Sequence, residues 1–165
     1  MTTIAYKDGL IAVDSRETFG EAGHEHCHPC QKLFYVTSAY RAPFAIATSG
    51  ESATGVLFVD KFLRIWDRDR LEELRAEFHC AEFECLVVTA EDGRLRAYWY
   101  DKWLRPMEVE DREGFALGSG AKVALGAMRA GASAAEAVKI AATVDPYTGL
   151  PVVVGDATGV VARIS

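Results

Sequence analysis

Short apolar runs separated by turn residues predict that the first part of the chain forms β-strands. Residues 3–6 and 10–13 flank an Asp8-Gly9 pair, and this pattern predicts a β-hairpin at the N-terminus. Residues 33–36 and 44–47 are predicted to form a second pair of strands. Their apolar positions are consecutive rather than alternating, as expected for strands that are covered on both faces.

The middle of the chain changes to a helical period. From about residue 51 to 66, apolar side chains recur three and four positions apart, so a helix with one apolar face is predicted. The charged segment 69–78 is predicted to be a further helix or a helical extension. A second hairpin is predicted where residues 86–89 and 94–100 flank an Asp92-Gly93 turn.

The last third of the chain contains a strand signal followed by two helix signals. Residues 115–117 predict a strand, and a helix is expected to run from about residue 119 to 130. Ser133 and Glu136 have the spacing of a capping box, which predicts the start of a second helix that ends near Val144.

The order of these elements limits the fold class. Residues 151–154 and 160–164 are predicted to be closing strands, and the polar segment 15–30 is predicted to be a loop. The order is therefore strands, a helix, strands, two helices and strands. Two packed sheets with helices outside them account for it, so we expect one α+β layered domain over residues 1–165.

Composition and charge narrow the function classes. The 165 residues are 50% hydrophobic and 25% charged, which is typical of a globular domain. The net charge of −6 argues against nucleic acid as the main partner. No apolar run approaches the roughly 20 residues of a membrane span, and the N-terminus lacks a signal-peptide pattern. We therefore expect a cytoplasmic protein that has no membrane partner, with cysteines present as thiols or metal ligands.

The first two residues carry a candidate nucleophile. If Met1 is removed, the chain begins with Thr2, which then carries a hydroxyl and a free α-amine on one residue. Because the α-amine has a pKa near 7.7–8.0, it can serve as the general base for the hydroxyl. Many proteins begin with Met-Thr, so this feature is a weak signal by itself.

Five segments in order strengthen that signal. Residues 2–5 and 11–20 closely resemble the opening of proteasome β-subunits and of the bacterial HslV-type peptidase. The matching later segments are Gln31-Lys32-Leu33, Gly118-Ser119-Gly120 and Asp145-Pro146-Tyr147-Thr148-Gly149. The resemblance covers nearly the whole chain. It implies the N-terminal nucleophile hydrolase fold, a four-layer αββα sandwich of two mainly antiparallel sheets flanked by helices.

The resemblance also implies a role for each matched residue. Thr2 would attack the scissile carbonyl, and Lys32 would place a positive charge beside it. Asp14 would hold that lysine by a charge-assisted hydrogen bond, because an unpaired buried ammonium is costly. The outer hydrogen-bonding set that orients the terminal amine would consist of Ser119, Asp145 and Thr148.

The oxyanion hole and the substrate pocket are expected near the end of the strand at 44–47. The family uses a glycine amide at this strand-to-helix turn, where the present chain has Ser49 and Gly50. Ser49 falls on that glycine, so a main-chain donor remains but a Cβ crowds the site. By resemblance, the substrate pocket is predicted to be lined by Cys30, Phe34 and Ala47, with a preference for small to apolar side chains.

Histidine and cysteine are concentrated in two clusters, residues 24–30 and the group His79, Cys80 and Cys85. Cys27 and Cys30 have the spacing of a tetrahedral zinc site or a redox dithiol. There is no second pair with that spacing, so a metal site, a redox switch and an unliganded loop beside the substrate pocket all remain open. No metal ligands are assigned, and no cofactor is required by the predicted chemistry.

The leading hypothesis is a threonine endopeptidase subunit that degrades unfolded polypeptide inside stacked hexameric or heptameric rings of identical subunits. An ATP-dependent unfoldase is a partner by resemblance. The stretch between the first long helix and the strand containing Cys85 is short, however, and the second outer helix is expected to be truncated. A ring-forming protein with little or no proteolysis, and a metal- or thiol-binding assembly, are the alternatives.

Overall fold

The fold was analysed in a computed structural model that describes residues 1–19, 26–38, 41–65, 74, 77–78, 83–101, 103–110 and 112–165. Within these residues, twelve strands form two five-stranded sheets and one two-stranded sheet. The strands are β1 (Thr3–Lys7), β2 (Leu10–Asp14), β3 (Arg16–Phe19), β4 (His26–Pro29), β5 (Leu33–Ser38), β6 (Arg41–Gly50), β7 (Phe83–Glu91), β8 (Arg94–Tyr100), β9 (Pro106–Val109), β10 (Phe115–Gly118), β11 (Val152–Asp156) and β12 (Gly159–Ile164). The helices named here are α1 (Ser52–Ile65), α2 (Ala121–Arg129) and α3 (Ala134–Val144).

The first large sheet has the order β10-β1-β2-β11-β12, and all its pairs are antiparallel. The predicted N-terminal hairpin is confirmed, with Ile4 opposite Val13. Asp8 and Gly9 form its turn with φ values of 52° and 77°, the left-handed conformations that two-residue hairpin turns need. Because β1 lies between β2 and β10, the first residues of the chain are fixed in the interior of a sheet.

The second large sheet has the order β5-β6-β7-β8-β9 and is also antiparallel throughout. It contains the two predicted strand pairs and one strand, β9, that the sequence pattern did not predict. A further correction concerns residues 15–30. Instead of the predicted loop, this segment contains the hairpin β3–β4, in which Arg16 pairs with Pro29. Its residues pair through backbone hydrogen bonds. Because such pairing does not need apolar side chains, the sequence shows no hydrophobic period here.

The two large sheets pack face to face, with helices on both outer faces. Ile4 and Val13 from the first sheet meet Leu33 and Leu86 from the second sheet in the central layer. Helix α1 covers the second sheet, and its Phe58 ring packs 4.8 Å from that of Phe83. Helices α2 and α3 cover the first sheet through small side chains, which allow the helices to lie close to the strands. These include Ala124, Ala137 and Ala141 against Ala5 and Ala12. The predicted α+β sandwich is confirmed, and its layer order is helix, sheet, sheet, helix.

The described helices lie close to the ranges predicted from the sequence. Ser133 Oγ accepts a hydrogen bond from Glu136 N, and Ser133 N donates to Glu136 Oε2 at 2.9 Å, so the predicted capping box is present at the start of α3. The predicted helix at 51–66 is α1. The predicted helix at 69–78 lies for the most part outside the described residues. Within the described part of the chain, no helix is long and apolar enough to cross a membrane.

Candidate active site

Lys32 lies directly before β5 and is almost completely buried. Its ammonium donates to Asp14 Oδ1 at 3.0 Å, to the Met1 carbonyl oxygen at 2.8 Å and to the Arg16 carbonyl oxygen. An ammonium has three N–H donors, so all of them have acceptors here. The charge is thus held at a fixed point next to the Met1–Thr2 peptide bond.

Asp14, the last residue of β2, has only 1% of its surface exposed. Besides the Lys32 ammonium, its carboxylate accepts three backbone N–H groups, from Thr3 at 2.9 Å, Arg16 at 3.0 Å and Gly149 at 3.1 Å. Four donors compensate the loss of water around this buried charge. The same contacts connect the start of β1, the end of β2 and the turn before β11.

A second polar group lies on the other side of the chain start. Ser119 Oγ donates to Asp145 Oδ2 at 2.6 Å, and Thr148 Oγ1 donates to the same oxygen at 2.5 Å. Burial raises the pKa of Asp145. This is outweighed by these two bonds, by a third from Tyr147 N and by the positive charge of the chain terminus, all of which lower the pKa. The pKa of Asp145 is therefore below its ordinary value, and this carboxylate is ionised at neutral pH.

Thr3 extends that group, and the sequence analysis did not identify it. Its Oγ1 accepts from Gly120 N at 3.0 Å and lies 2.5 Å from Thr148 Oγ1. Since the single hydroxyl proton of Thr148 goes to Asp145, the proton between the two threonines belongs to Thr3. The hydrogen bonds therefore run in one direction, from Gly120 through Thr3 and Thr148 to Asp145. The repeated threonine at the chain start was the only available signal.

Thr2 itself is 4% exposed in the chain that carries Met1. Its carbonyl oxygen accepts from Ser119 N at 3.0 Å. Gly118 makes this approach sterically feasible, because a Cβ at this position would lie 1.8 Å from that carbonyl oxygen and 2.8 Å from Ser49 Oγ. Gly118 also has a φ of 88°, in the left-handed region that favours glycine. Thr2, which directly precedes β1, and Ser49, which is in β6, thus meet at one glycine.

The six predicted catalytic residues therefore form two groups around the start of β1. Asp14 and Lys32 belong to one, and Ser119, Asp145 and Thr148 to the other. The start of the chain contacts both groups, because the Met1 carbonyl accepts from Lys32 and the Thr2 carbonyl accepts from Ser119 N. In the described part of the chain the Lys32 ammonium donates to Met1, Asp14 and Arg16 and not to Thr2 Oγ1, so the nucleophilic role stays a prediction.

A cavity of about 120 Å³ opens at the chain start. Thr2 and Lys32 line it together with Ser49 and Gly50, so the two residues predicted for the oxyanion hole share a cavity with the predicted nucleophile. The other lining residues were not predicted from the sequence. They are Met1, Glu17, Gln31, Thr48, Glu51 and Val56. Gln31 is next to the predicted Lys32 and Glu51 is next to the predicted Gly50, whereas no sequence pattern indicated that Glu17 would line the cavity.

The three residues predicted for the substrate pocket do not occur together in any of the cavities that are lined by described residues. Cys30 lines a separate cavity of about 300 Å³, together with Tyr35 and Arg163. Ala47 is fully buried between the two sheets, and Phe34 packs with the cluster beneath α1 on the opposite face. The reason is the alternation of side chains along a strand, which sends neighbouring positions of β5 and β6 to opposite faces.

The two histidine and cysteine clusters, at which a metal site was one of the open alternatives, lie largely outside the described residues, which include neither His24 nor His79 and Cys80. Of the cysteines that are described, burial raises the pKa of the Cys30 thiol, although the Lys32 charge partly opposes this. Cys85 is completely buried in the core, and that burial raises the pKa of its thiol strongly. In the part of the chain that the structure describes, no group of three acidic, His or Cys side chains could hold a metal ion.

Comparisons with protein-family models and with curated proteins find no match, whereas solved structures do. An Anbu mutant from Hyphomicrobium sp. strain MC1 has a TM-score of 0.78 at 14% identity, over 99% of this chain and 87% of that chain. Anbu, an ancestral beta-subunit, from Yersinia bercovieri gives 0.71 at 16% identity, over 100% and 88%. Eukaryotic HslV from Trypanosoma brucei gives 0.64 at 20% identity, over 93% and 97%.

These identities are low, so the similarity concerns the arrangement of the backbone. The likeness extends over almost the full length of this chain, including β1, β2 and the turn before α2 that form the site. The chain therefore has the proteasome-like, N-terminal nucleophile hydrolase fold of Anbu and HslV.

Proposed function

We propose that the chain is the subunit of a threonine-type endopeptidase, with Thr2 as the nucleophile once Met1 has been removed. The observation that carries the proposal is the position of Lys32. Its ammonium is held by the buried carboxylate of Asp14, and it donates to the carbonyl of Met1, which belongs to the bond that must break to free Thr2. A charged group placed in this way stabilises a deprotonated hydroxyl.

Removal of Met1 has two consequences at this point. It converts Thr2 N from an amide into an amine with a pKa near 7.7–8.0, which is suited to general-base work at neutral pH. It also removes one of the three acceptors of Lys32. That N–H donor then becomes available to Thr2 Oγ1, while Asp14 and the Arg16 carbonyl keep the ammonium in place.

The reaction then proceeds in two steps. The Thr2 amine takes the proton of Oγ1, the oxygen attacks the substrate carbonyl, and backbone N–H groups near Ser49 and Gly50 stabilise the oxyanion. The carbon–nitrogen bond breaks, the proton passes to the leaving amine, and an ester on Thr2 remains. Water, deprotonated by the Thr2 amine, hydrolyses the ester and restores the hydroxyl.

Assembly follows from the same proposal. The fold shared with HslV and with Anbu, whose name describes a beta-subunit, supports a homo-oligomer of stacked hexameric or heptameric rings. Enclosure limits access to unfolded chains, which we propose as substrate, in the cytoplasm and with an ATP-dependent unfoldase as partner. Sedimentation velocity of the purified chain tests the rings directly, and a monomer at micromolar concentration would contradict them.

Intact-mass spectrometry tests the nucleophile and its processing together. The expected mass is that of the chain without Met1, and a peptide epoxyketone, which reacts with an N-terminal hydroxyl and amine, should add one equivalent. The variant Thr2→Ala should form no adduct and hydrolyse no peptide, whereas the control Thr143→Ala on the exposed face of α3 should behave like the parent chain. Full hydrolysis by Thr2→Ala would refute the proposed nucleophile.

A ring-forming protein with little or no proteolysis is the second candidate. It is favoured by Ser49, which adds a side chain at the turn where the resembling family has glycine. The Ser49 hydroxyl lies so close to Gly118 that a Cβ added there would be 2.8 Å from Oγ. The variant Ser49→Gly distinguishes the two. If crowding limits catalysis, this variant hydrolyses peptide faster than the parent chain, and if the chain has no proteolytic role, neither cleaves.

A further inference from the structure

A second cavity adjoins the one at Thr2. It measures about 480 Å³ and shares Ser49 and Gly50 with the smaller cavity, so both adjoin the end of β6. The rest of its wall consists of aromatic and charged residues. These are Phe83, Glu84, Trp99, Asp101, Trp103 and Arg105.

Strand register explains why these groups meet. Glu84 is directly opposite Ser49 in the β6–β7 pair, and residues that are opposite on antiparallel strands point to the same face. Trp99 is opposite Leu86, two residues beyond Glu84, and therefore lies on that face as well. The carboxylate of Glu84 and an indole thus flank the same edge of the site as Ser49.

One of the two carboxylates in this cavity has a cationic partner, and the other has none in the described part of the chain. Asp101 is already committed, because its carboxylate accepts from the Arg105 guanidinium at 3.0 Å and from the Trp103 amide at 2.9 Å. Glu84 has no hydrogen-bond or ion-pair partner among the described residues, although it is half-buried. Burial and, after it, the charge of Asp101 raise the pKa of Glu84, as expected for a carboxylate that lacks a cation.

Aromatic walls around an unpaired carboxylate are suited to a cation. A lysine or arginine side chain would bring a charge to Glu84 and lay its alkyl part and its charged group against the indoles of Trp99 and Trp103. A neutral or acidic side chain would leave the carboxylate desolvated and without a partner. Arg105 does not oppose this, since Asp101 holds its guanidinium through two nitrogens.

We propose that this second cavity binds a lysine or arginine side chain of the polypeptide whose scissile bond lies at Thr2. The assignment of the bound group to a substrate rests on the proposed function; the cation site itself rests on Glu84 and the indoles. The cationic residue would occupy a fixed position, within a few residues of the scissile bond, because Ser49 and Gly50 border both cavities.

Cleavage-site mapping tests the role in substrate selection. Unfolded casein is digested with the Met1-free oligomer, and its products are sequenced by mass spectrometry. We expect lysine and arginine to be enriched about tenfold at one position relative to the cut bonds. Glu84→Gln should remove the enrichment, and the control Glu110→Gln, which makes the same charge change at an exposed carboxylate, should retain it. Cleavage without any such enrichment would overturn the proposal.

Binding without cleavage separates this proposal from the proposed function. The variant Thr2→Ala is titrated with a capped pentapeptide that has one central lysine between alanines, and with its norleucine analogue. Tryptophan emission reports binding, because two of the three tryptophans of the chain line the cavity. We expect the lysine peptide to bind about tenfold more tightly, and Glu84→Gln to abolish the difference.

The outcomes of the two experiments can be told apart. Lysine-dependent binding by Thr2→Ala, together with a parent chain that cleaves nothing, would refute the peptidase and retain the cation site. Equal affinities for the two peptides would refute the cation site, even in a chain that is an active peptidase. If neither peptide binds, the cation site is refuted as well.

Discussion

Thr3 Oγ1 lies 2.5 Å from Thr148 Oγ1, and this contact joins the first residue of β1 to the turn that follows α3. Both hydroxyls are buried, and each has a further partner, Gly120 N for Thr3 and Asp145 for Thr148. The relative position of the chain start and Asp145 is thus set by side-chain hydrogen bonds as well as by the sheet.

Replacing Thr148 with valine keeps the shape of the side chain but removes its hydroxyl. The proton of Thr3 Oγ1 would lose its acceptor in a buried site, so we expect the free energy of unfolding to fall by about 1–3 kcal/mol. Thr143→Val is the matched control, because the Thr143 hydroxyl is exposed on α3. It should change stability by less than about 0.5 kcal/mol in the same urea titrations. Equal effects of the two variants would contradict the directed chain of hydrogen bonds.

The ion pair between Asp14 and Lys32 should respond asymmetrically to mutation. Asp14→Asn leaves a buried ammonium without its counter-charge and places an amide against N–H donors, so a loss of about 3–5 kcal/mol is expected. Lys32→Met leaves the carboxylate with three backbone donors and should cost less. Equilibrium denaturation of both single variants and of the double variant measures the coupling. A larger loss for Lys32→Met would contradict this account.

Asp145 should make stability depend on acid pH. Its pKa is lowered in the folded chain, so its contribution is fully present above the ordinary aspartate pKa of about 3.9 and is lost as the pH falls through the folded value. The difference in unfolding free energy between the parent chain and Asp145→Asn should therefore be constant from pH 7 to about 5 and shrink below about 3.9. Glu110→Gln, at an exposed position, is the control. A difference that grows towards low pH would have the wrong sign.

Tyr35 and Gly155 provide a test of packing. The Tyr35 hydroxyl is buried without a hydrogen-bond partner among the described residues, and burial, followed by Asp156, raises its pKa to about 12. Tyr35→Phe should therefore be neutral or stabilising, by up to about 1 kcal/mol.

A Cβ on Gly155 would lie 1.8 Å from that hydroxyl oxygen. Gly155→Ala should thus cost less in the Tyr35→Phe background than in the parent chain, by at least about 0.5 kcal/mol in a double-mutant cycle. Part of the cost should persist, because the Gly159 carbonyl oxygen lies 2.7 Å from the same position. Additive effects of the two substitutions would show that the hydroxyl is not the obstacle.

The parts of the fold that could be predicted depend on local signals. Some elements can be identified from a few neighbouring residues. They are the Asp8-Gly9 turn, the capping box of Ser133 and Glu136, and the apolar strands. Strand β9 and the hairpin β3–β4 cannot be identified in this way, because partly exposed or polar strands have no apolar run to detect. Their positions depend on pairing with distant segments.

Some residues of the site could also be predicted from the sequence, whereas others could not. Matched segments indicated that Asp14 and Lys32 belong together, and the structure places them 3.0 Å apart. The role of Thr3 and the contributions of Glu17 and Glu84 to the cavities depend on distances across the sandwich, which spacing along one chain does not encode. Cys30, Phe34 and Ala47, predicted to line one pocket, lie in different layers of the described part of the chain, because strand register determines which face each side chain occupies.

The lack of a side chain at Gly118 has a consequence for which substitutions this protein can tolerate. A Cβ there would lie 1.8 Å from the carbonyl oxygen of Thr2, so in a library of all single substitutions even alanine at position 118 should be depleted to the level of nonsense codons. The neighbouring wall formed by Glu84 and Trp103 has no such restriction. Variation in what the protein accepts would therefore accumulate on that wall, while position 118 remains fixed across any lineage that keeps the fold.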